Sequence, residues 1–140
     1  MNNNSNNTWR TIDDTTTLGE CEQVIVRAVW ERLSSVEYTI GTEVFGELCL
    51  DNSNLTLECY DTRWHHIMPS TKWQSIENIA DAPIRQYILY RYNYRDREDK
   101  WRYRIAGYRM NSEDFSRNVD TIEWMVVEDN LKEAEGYEQH

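Results

Sequence analysis

Arginine and tyrosine side chains that could bind a ligand are concentrated in residues 85–109, here called the Arg/Tyr band. A guanidinium can hold a phosphate with two parallel hydrogen bonds, and a tyrosine ring can stack on a base. The same residue types dominate protein interfaces, and cross-strand Arg–Tyr pairs also stabilise exposed sheets. The sequence leaves these three interpretations open. The binding candidates in the band are Arg91, Arg95, Arg102, Arg104, Arg109, Tyr90, Tyr92 and Tyr103.

Acidic residues provide a second candidate surface. The formal net charge is −10, but residues 84–117 carry 9 basic and 5 acidic side chains, so the acidity lies in the flanking segments. A negative surface can imitate a phosphate backbone and speed the encounter with a nucleic-acid-binding protein, although acidity also serves solubility. The acidic binding candidates are Glu43, Glu47, Asp51 and Glu58.

The sequence carries none of the familiar catalytic patterns, such as GxSxG, the P-loop or HExxH. His65 and His66 are adjacent, and adjacent strand residues point to opposite faces, so the pair is not expected to share a metal. Cys21, Cys49 and Cys59 lack CxxC spacing, which predicts buried free thiols. We therefore expect no enzyme activity, no cofactor and no metal site.

An internal repeat supplies the elements that must position these residues. Four blocks recur in the same order, and a tryptophan opens and closes each copy. The matched pairs are residues 8–14 with 72–78, 24–30 with 87–93, 43–52 with 100–111, and 62–70 with 121–129. The order and spacing indicate duplication of a unit of roughly 60 residues.

Alternating side chains predict strands in both copies. In the second copy, the charged segment RDREDK separates two alternating runs and predicts a hairpin turn. In the first copy, VFGELCL is the expected mate of the second run, followed by DNSN as a turn and LTLECYD as another strand. Residues 20–33 fit a strand or a helix, and the β-branched run VIV favours the strand.

These patterns predict a mainly β fold in which two tandem, pseudo-symmetric antiparallel β-meander units pack as one body, with a short C-terminal helix. The expected divisions are a disordered N terminus at residues 1–7, repeat units at 8–70 and 71–129, and a helix or tail at 130–140. A strand edge left uncovered would favour a homodimer, which stays open. The sequence shows neither a membrane-spanning run nor a secretion signal, so a cytosolic location is expected.

The motifs of the second copy resemble a known family. That copy opens with W-x-S-I, continues through YILYRY and IAGY, and closes with TIEWM, while Trp9 and Trp64 occupy matching places in the first copy. This pattern resembles the family catalogued as domain of unknown function 551, over residues 8–129. Val126 and Val127 depart from it, because the family has a proline soon after its closing Trp-Met.

The resemblance implies a small accessory protein of a bacteriophage or prophage, with no activity attached. Combined with the charge distribution, it leads us to expect a non-catalytic protein in the bacterial host cytosol. Its partner would be a basic or nucleic-acid-binding host protein, such as a defence effector, inhibited through acidic surface contact. One alternative is a sponge that sequesters a nucleotide immune signal in an Arg/Tyr/Trp pocket. A second alternative is a structural component of the virion.

Overall fold

The computed structural model describes residues 9–138, with the backbone alone for residues 98, 99 and 135–138. The described residues form two antiparallel sheets and a short C-terminal helix, which confirms the predicted mainly β fold. The expected disorder of residues 1–7 lies outside the described range. The chain divides into two compact units: unit 1 holds residues 9–67 and the helix end from Ala134, and unit 2 is Met68–Glu133. No helix among the described residues is long and apolar enough to pass through a membrane.

Unit 1 contains a five-stranded sheet whose spatial order is β1-β5-β2-β3-β4. Its strands are β1 (Arg10–Thr11), β2 (Gln23–Trp30), β3 (Ser35–Val44), β4 (Glu47–Leu50) and β5 (Tyr60–His66). A 3₁₀ turn at Ser53–Thr56 precedes β5. The strand β2 shows that residues 23–30 adopt the extended alternative, while turns lie at residues 20–21 and 31–33.

Unit 2 contains a four-stranded sheet whose spatial order is β6-β9-β7-β8. Its elements are β6 (Gln74–Ser75), β7 (Ile88–Tyr94), β8 (Arg97–Ala106), β9 (Val119–Val126) and the start of helix α1 (Val127–Glu138). Two 3₁₀ segments, Ile76–Asp81 and Ser112–Asp114, follow β6 and β8 in the chain. The helix begins at Val127, three residues before residue 130, where the predicted C-terminal helix or tail begins.

The two sheets share one topology. In each, the first strand pairs with the last, the last pairs with the second, and the second pairs with the third. The register makes the closing tryptophans equivalent, because Trp64 lies between Arg10 and Val26 while Trp124 lies between Gln74 and Tyr90. Strand β4 has no counterpart among the described strands of unit 2 and is an addition to the shared pattern.

The register corrects three of the predicted block matches. In the fourth block, residues 62–66 correspond to residues 122–126, one position later than predicted, because Trp64 is equivalent to Trp124. Residues 24–30 correspond to residues 88–94, one position later than predicted, and a one-residue slip exchanges the two faces of a strand. Residues 43–52 do not correspond to 100–111, because β3 is the counterpart of β8. Unit 1 has an added strand, β4, directly after β3. The predicted match to residues 100–111 therefore fell on the β3–β4 hairpin and not on β3 itself.

Four local predictions are also corrected. The segment VFGELCL contains the last residue of β3, a two-residue turn and then β4, and LTLECYD passes through a 3₁₀ turn before β5 begins at Tyr60. Most of RDREDK belongs to β8, because Tyr94 pairs with Arg97 and only two residues form the turn. The predicted burial of the thiols is wrong, since Cys21, Cys49 and Cys59 are free but exposed.

Each unit has its own core around the closing tryptophan. In unit 1, Trp64 packs with Val24 and Val26, and its indole N–H donates to the carbonyl of Asp14 at 3.0 Å. In unit 2, Trp124 packs with Tyr90 in a larger cluster, and its indole N–H donates to the carbonyl of Ser75 at 3.0 Å. A buried indole keeps its polar edge satisfied in this way. The opening and closing segments of each unit are thereby tied together.

We predict that Gly41→Ala destabilises the protein. A methyl group at Gly41 would lie 2.8 Å from Cγ2 of Val26 and 3.0 Å from Cγ of Leu48, both in the core of unit 1. Such overpacking costs about 1–3 kcal/mol, measurable by urea unfolding. Gly19→Ala is the control, since its nearest described neighbour is Oε1 of Glu22 at 3.8 Å. Equal midpoints for the two variants would contradict this account of Gly41.

Candidate functional site

The turn between β3 and β4 presents an aromatic side chain to solvent in an unfavourable backbone conformation. Phe45 and Gly46, here called the hairpin tip, both have positive φ, 52° and 83°. A two-residue hairpin turn of type I′ requires positive φ at both positions. Glycine adopts it freely, but a residue with a side chain pays about 1 kcal/mol or more. Phe45 is 99% exposed, so packing of its own side chain does not hold it in this conformation. The neighbouring residues must hold the turn instead.

Glu43 holds the hairpin tip through both carboxylate oxygens. Oε2 accepts from the N–H of Gly46 at 2.9 Å, and Oε1 accepts from the N–H of Cys21 at 2.9 Å. Cys21 is another residue with positive φ, 61°. Thr15 adds a third link, because its hydroxyl donates to the carbonyl of Gly46 at 2.7 Å. The carboxylate of Glu43 therefore supports the turn from within, and its oxygens are engaged in that role.

The base of the hairpin is anchored in the core of unit 1. Leu48 and Leu50 alternate inward along β4 and pack against the buried cluster of Val24, Val26 and Trp64. Glu47 and Cys49 occupy the outward positions. Strand β4 pairs only with β3, so it forms one edge of the described sheet. The hairpin tip is thus displayed from a rigid base.

The surroundings of the hairpin tip are acidic. The loop at residues 13–22 and the turn at 43–47 contain six acidic residues and no basic ones: Asp13, Asp14, Glu20, Glu22, Glu43 and Glu47. Arg10 pairs with Asp14 at 3.0 Å, and this bond lowers the pKa of the Asp14 carboxyl. His66 contacts Glu22 at 3.1 Å. Glu20 and Glu47 are exposed and give the surface a negative charge.

The four acidic candidates from the sequence take different positions. Glu43 supports the turn, and Glu47 is exposed one residue beyond the hairpin tip. Asp51 follows β4, where its backbone N–H donates to Ile40, and Glu58 is exposed in the loop before β5. The structure brings Glu43 and Glu47 together on one hairpin. Asp51 and Glu58 follow the hairpin in the chain and are not part of it.

Tyr90, a candidate from the Arg/Tyr band, lies in the core of unit 2. It is fully buried, its hydroxyl donates to the carbonyl of Tyr108 at 2.9 Å, and it accepts from the N–H of Met110 at 2.7 Å. Burial raises the pKa of the Tyr90 phenol above its usual value of 10.0. Tyr90 is positioned to stabilise unit 2 and has no surface to offer a ligand.

Arg91 is engaged on several sides. Its guanidinium stacks on Trp73 at 4.4 Å and on Trp101 at 4.3 Å, measured to the ring centroids. Its Nε donates to Oε1 of Glu123 at 2.8 Å, in an ion pair that is about three-quarters buried. Tyr103 lies beside Trp73, and burial raises the pKa of its phenol. In this part of the Arg/Tyr band, the charge of Arg91 is balanced by Glu123 and its guanidinium stacks on aromatic rings.

The remaining candidates of the band lie toward the surface. Arg109 is exposed, but its Nε donates to the carbonyl of Ala82 at 2.9 Å. Arg104 is exposed and lies over the ring of Phe115 at 5.7 Å. Tyr92 also contacts Phe115, with ring centroids 5.3 Å apart. Arg95 is exposed and Arg102 is half-buried. These residues do not converge with Arg91 on one described cavity.

The described residues offer little to a cofactor or metal. They contain no group of three or more His, Cys, Asp or Glu side chains arranged to hold an ion. His65 contacts Trp9 while His66 contacts Trp64, on opposite faces of β5. A groove of about 590 Å³ in unit 2 is bordered by Lys72, Lys132, Glu128 and Asp129. Because these charges balance, the groove has no net charge to select an ion.

No family model, curated protein or solved structure matches this chain. The resemblance to domain of unknown function 551 therefore stays a prediction, and the case for function depends on the chain's own geometry.

Sequence reasoning missed Phe45 as a functional candidate. The predicted strand VFGELCL places this residue in a strand interior, where an aromatic side chain is ordinary. The available signal was the adjacent Gly46, because a glycine between two alternating runs indicates a tight hairpin turn. That interpretation would have placed Phe45 at a solvent-exposed turn.

We predict that Glu43→Ala loosens the hairpin tip without unfolding the sheet. Removing the carboxylate leaves the N–H groups of Gly46 and Cys21 without their acceptor, so both amides should exchange faster with deuterium by about tenfold or more. Hydrogen exchange followed by NMR measures this change. Glu47→Ala is the matched control, because no hydrogen bond of its side chain is seen among the described residues. Unchanged exchange at Gly46 would contradict the supporting role of Glu43.

Proposed function

We propose that this chain is a non-catalytic accessory protein that binds a host protein and inhibits it, with the acid-flanked hairpin tip as its contact point. The single observation that carries the proposal is Phe45, a fully exposed aromatic side chain held in a strained turn. The phage setting and the bacterial cytosol are supported only by the resemblance to domain of unknown function 551.

A fully exposed phenylalanine adds no buried area to the fold, so its apolar surface remains available for burial against a partner. Strained residues persist where the surrounding structure over-determines them, and they cluster at binding sites and clamps. Aromatic anchors that enter a partner's pocket supply much of the binding energy of an interface. A rigid presentation also reduces the entropy lost on binding. These arguments favour insertion of Phe45 into an apolar pocket.

The acidic residues beside the hairpin tip indicate the partner's charge. Glu20 and Glu47 are exposed, and the loop and the turn that contain them have no basic residues. Such a surface attracts a basic protein and repels a phosphate backbone. A nucleic-acid-handling protein, whose binding groove is basic, fits this requirement. Occupation of that groove would block nucleic acid and so inhibit the partner.

The added strand supports a dedicated role for the hairpin. Unit 2 forms the same arrangement of four strands without an equivalent of β4 in its described sheet. The hairpin is therefore not required by the shared topology. Its presence in unit 1, with costly features at its tip, is consistent with a binding function.

We predict that Phe45→Ala abolishes most of the binding. Immobilised wild-type protein and variant would be exposed to bacterial lysate, the retained protein identified by mass spectrometry, and the purified pair measured by calorimetry. Loss of an aromatic anchor costs about 2 kcal/mol or more, which is about a 30-fold rise in Kd. Glu47→Lys should slow association, and higher salt should reduce the difference from wild type.

Ile84→Ala is the matched control, because Ile84 is also an exposed apolar residue, 67% exposed, but lies in unit 2. Its Kd should stay within about twofold of the wild-type value. The proposal fails if Phe45→Ala binds as tightly as wild type, if Ile84→Ala loses as much affinity, or if the captured partner is acidic.

A further inference from the structure

The shared topology allows equivalent positions to be compared across the two sheets. In unit 2, the register places Ser75, Glu123, Arg91 and Tyr103 in one row across β6, β9, β7 and β8. In unit 1, the row at the same positions across β1, β5, β2 and β3 is Thr11, Arg63, Arg27 and Tyr38. The rows agree in hydroxyl, arginine and tyrosine. They differ in charge at one position, where unit 1 has Arg63 and unit 2 has a glutamate.

The glutamate in unit 2 neutralises the central arginine. Glu123 accepts from Nε of Arg91 at 2.8 Å and from its Nη2 at 2.6 Å. The arginine is thus paired with a carboxylate while its guanidinium stacks on Trp73. Oppositely charged residues directly across two strands stabilise a sheet, and like charges destabilise it.

Unit 1 keeps the stacked arginine but lacks this carboxylate. The guanidinium of Arg27 lies 4.0 Å from the ring centroid of Trp9, the counterpart of the contact between Arg91 and Trp73. The residue directly across from Arg27 is Arg63, so two cations face each other. Within the described part of the chain, the buried Nε of Arg27 has no hydrogen-bond partner. Burial also lowers the pKa of Arg27, which reflects the cost of holding its charge there.

Asp61 offsets part of this charge but does not replace Glu123. Its Oδ1 accepts from Nε of Arg63 at 3.2 Å. The row and Asp61 together retain a net charge of +1, from two arginines and one aspartate. The side chains of Arg63 and Asp61 are 41% and 48% exposed, so a ligand in solution can reach them.

We propose that Arg27 and Arg63 bind a phosphate group, which takes the place that the Glu123 carboxylate occupies in unit 2. Two guanidiniums supply more donors than the two oxygens of a carboxylate can accept, whereas a phosphate has three or four oxygens and a larger charge. The group comes from free inorganic phosphate or from a phosphate monoester. This site is independent of Phe45 and goes beyond the proposed contact with a host protein.

The test is a titration of the full chain with inorganic phosphate and, separately, with adenosine monophosphate, at ionic strength matched with chloride. The arginine Nε–H resonances are followed by NMR. We expect the signals of Arg27 and Arg63 to shift with saturation, while chloride alone leaves them in place. Tighter binding of adenosine monophosphate identifies a phosphate ester as the source, and tighter binding of inorganic phosphate identifies the free ion. Either result supports the site.

Arg63→Glu restores the arrangement of unit 2. We expect it to raise the Kd for phosphate by at least about tenfold, because a carboxylate at this position would pair with Arg27 in place of the ligand. The variant should also unfold at a higher temperature than wild type in phosphate-free buffer, which distinguishes occupation of the site from misfolding. Arg117→Glu changes the net charge equally at an exposed position in unit 2, and its Kd should stay within about twofold of wild type.

Three results would overturn the proposal. One is the absence of saturable shifts at Arg27 and Arg63 in the wild-type protein. Another is an equal Kd for wild type and Arg63→Glu. The last is an equal loss of affinity in Arg117→Glu, because the weaker phosphate binding of Arg63→Glu would then be explained by the net charge of the chain alone.

Discussion

The contact on which each unit depends is the hydrogen bond from its closing tryptophan to the backbone of its opening segment. Trp64 and Trp124 lie in the two cores, and their indole N–H groups reach carbonyls about 50 residues earlier in the chain, at Asp14 and Ser75. A buried donor without a partner would cost about 1–3 kcal/mol, so the opening segment is held beside the last strand. This contact closes a sheet whose first and last strands are neighbours in space but distant in sequence.

The two units share this topology but differ in features of their surfaces. Unit 1 has the additional strand β4 and with it an exposed aromatic tip, while the described sheet of unit 2 ends at β8. The central arginine is paired with Glu123 in unit 2 and faces Arg63 in unit 1. Both differences lie in unit 1, which has a fully exposed aromatic side chain and a half-buried cation that faces another cation. Function on this chain is therefore best sought in unit 1.

The Arg/Tyr band shows why composition alone is a weak guide to a site. The band contains the residue types of a nucleotide pocket, yet Tyr90 is a core residue and Arg91 is neutralised by Glu123 within its own sheet. Alternation along β7 correctly indicated that these two side chains point to opposite faces. It could not indicate which face would be covered, because that depends on residues far away in the chain.

The sequence by itself determined the mainly β character and the short C-terminal helix, and it favoured the extended state of residues 23–30 over a helix. These follow from side-chain alternation and β-branched runs, which are local properties that a strand or helix expresses wherever it is placed. Only the tertiary structure decided the cross-strand neighbours, including Arg27 beside Arg63, the turn at Phe45 and the use of Glu43 as a support. The physical reason is that register depends on loop lengths and turn geometry, and a shift of one residue exchanges the faces of a strand.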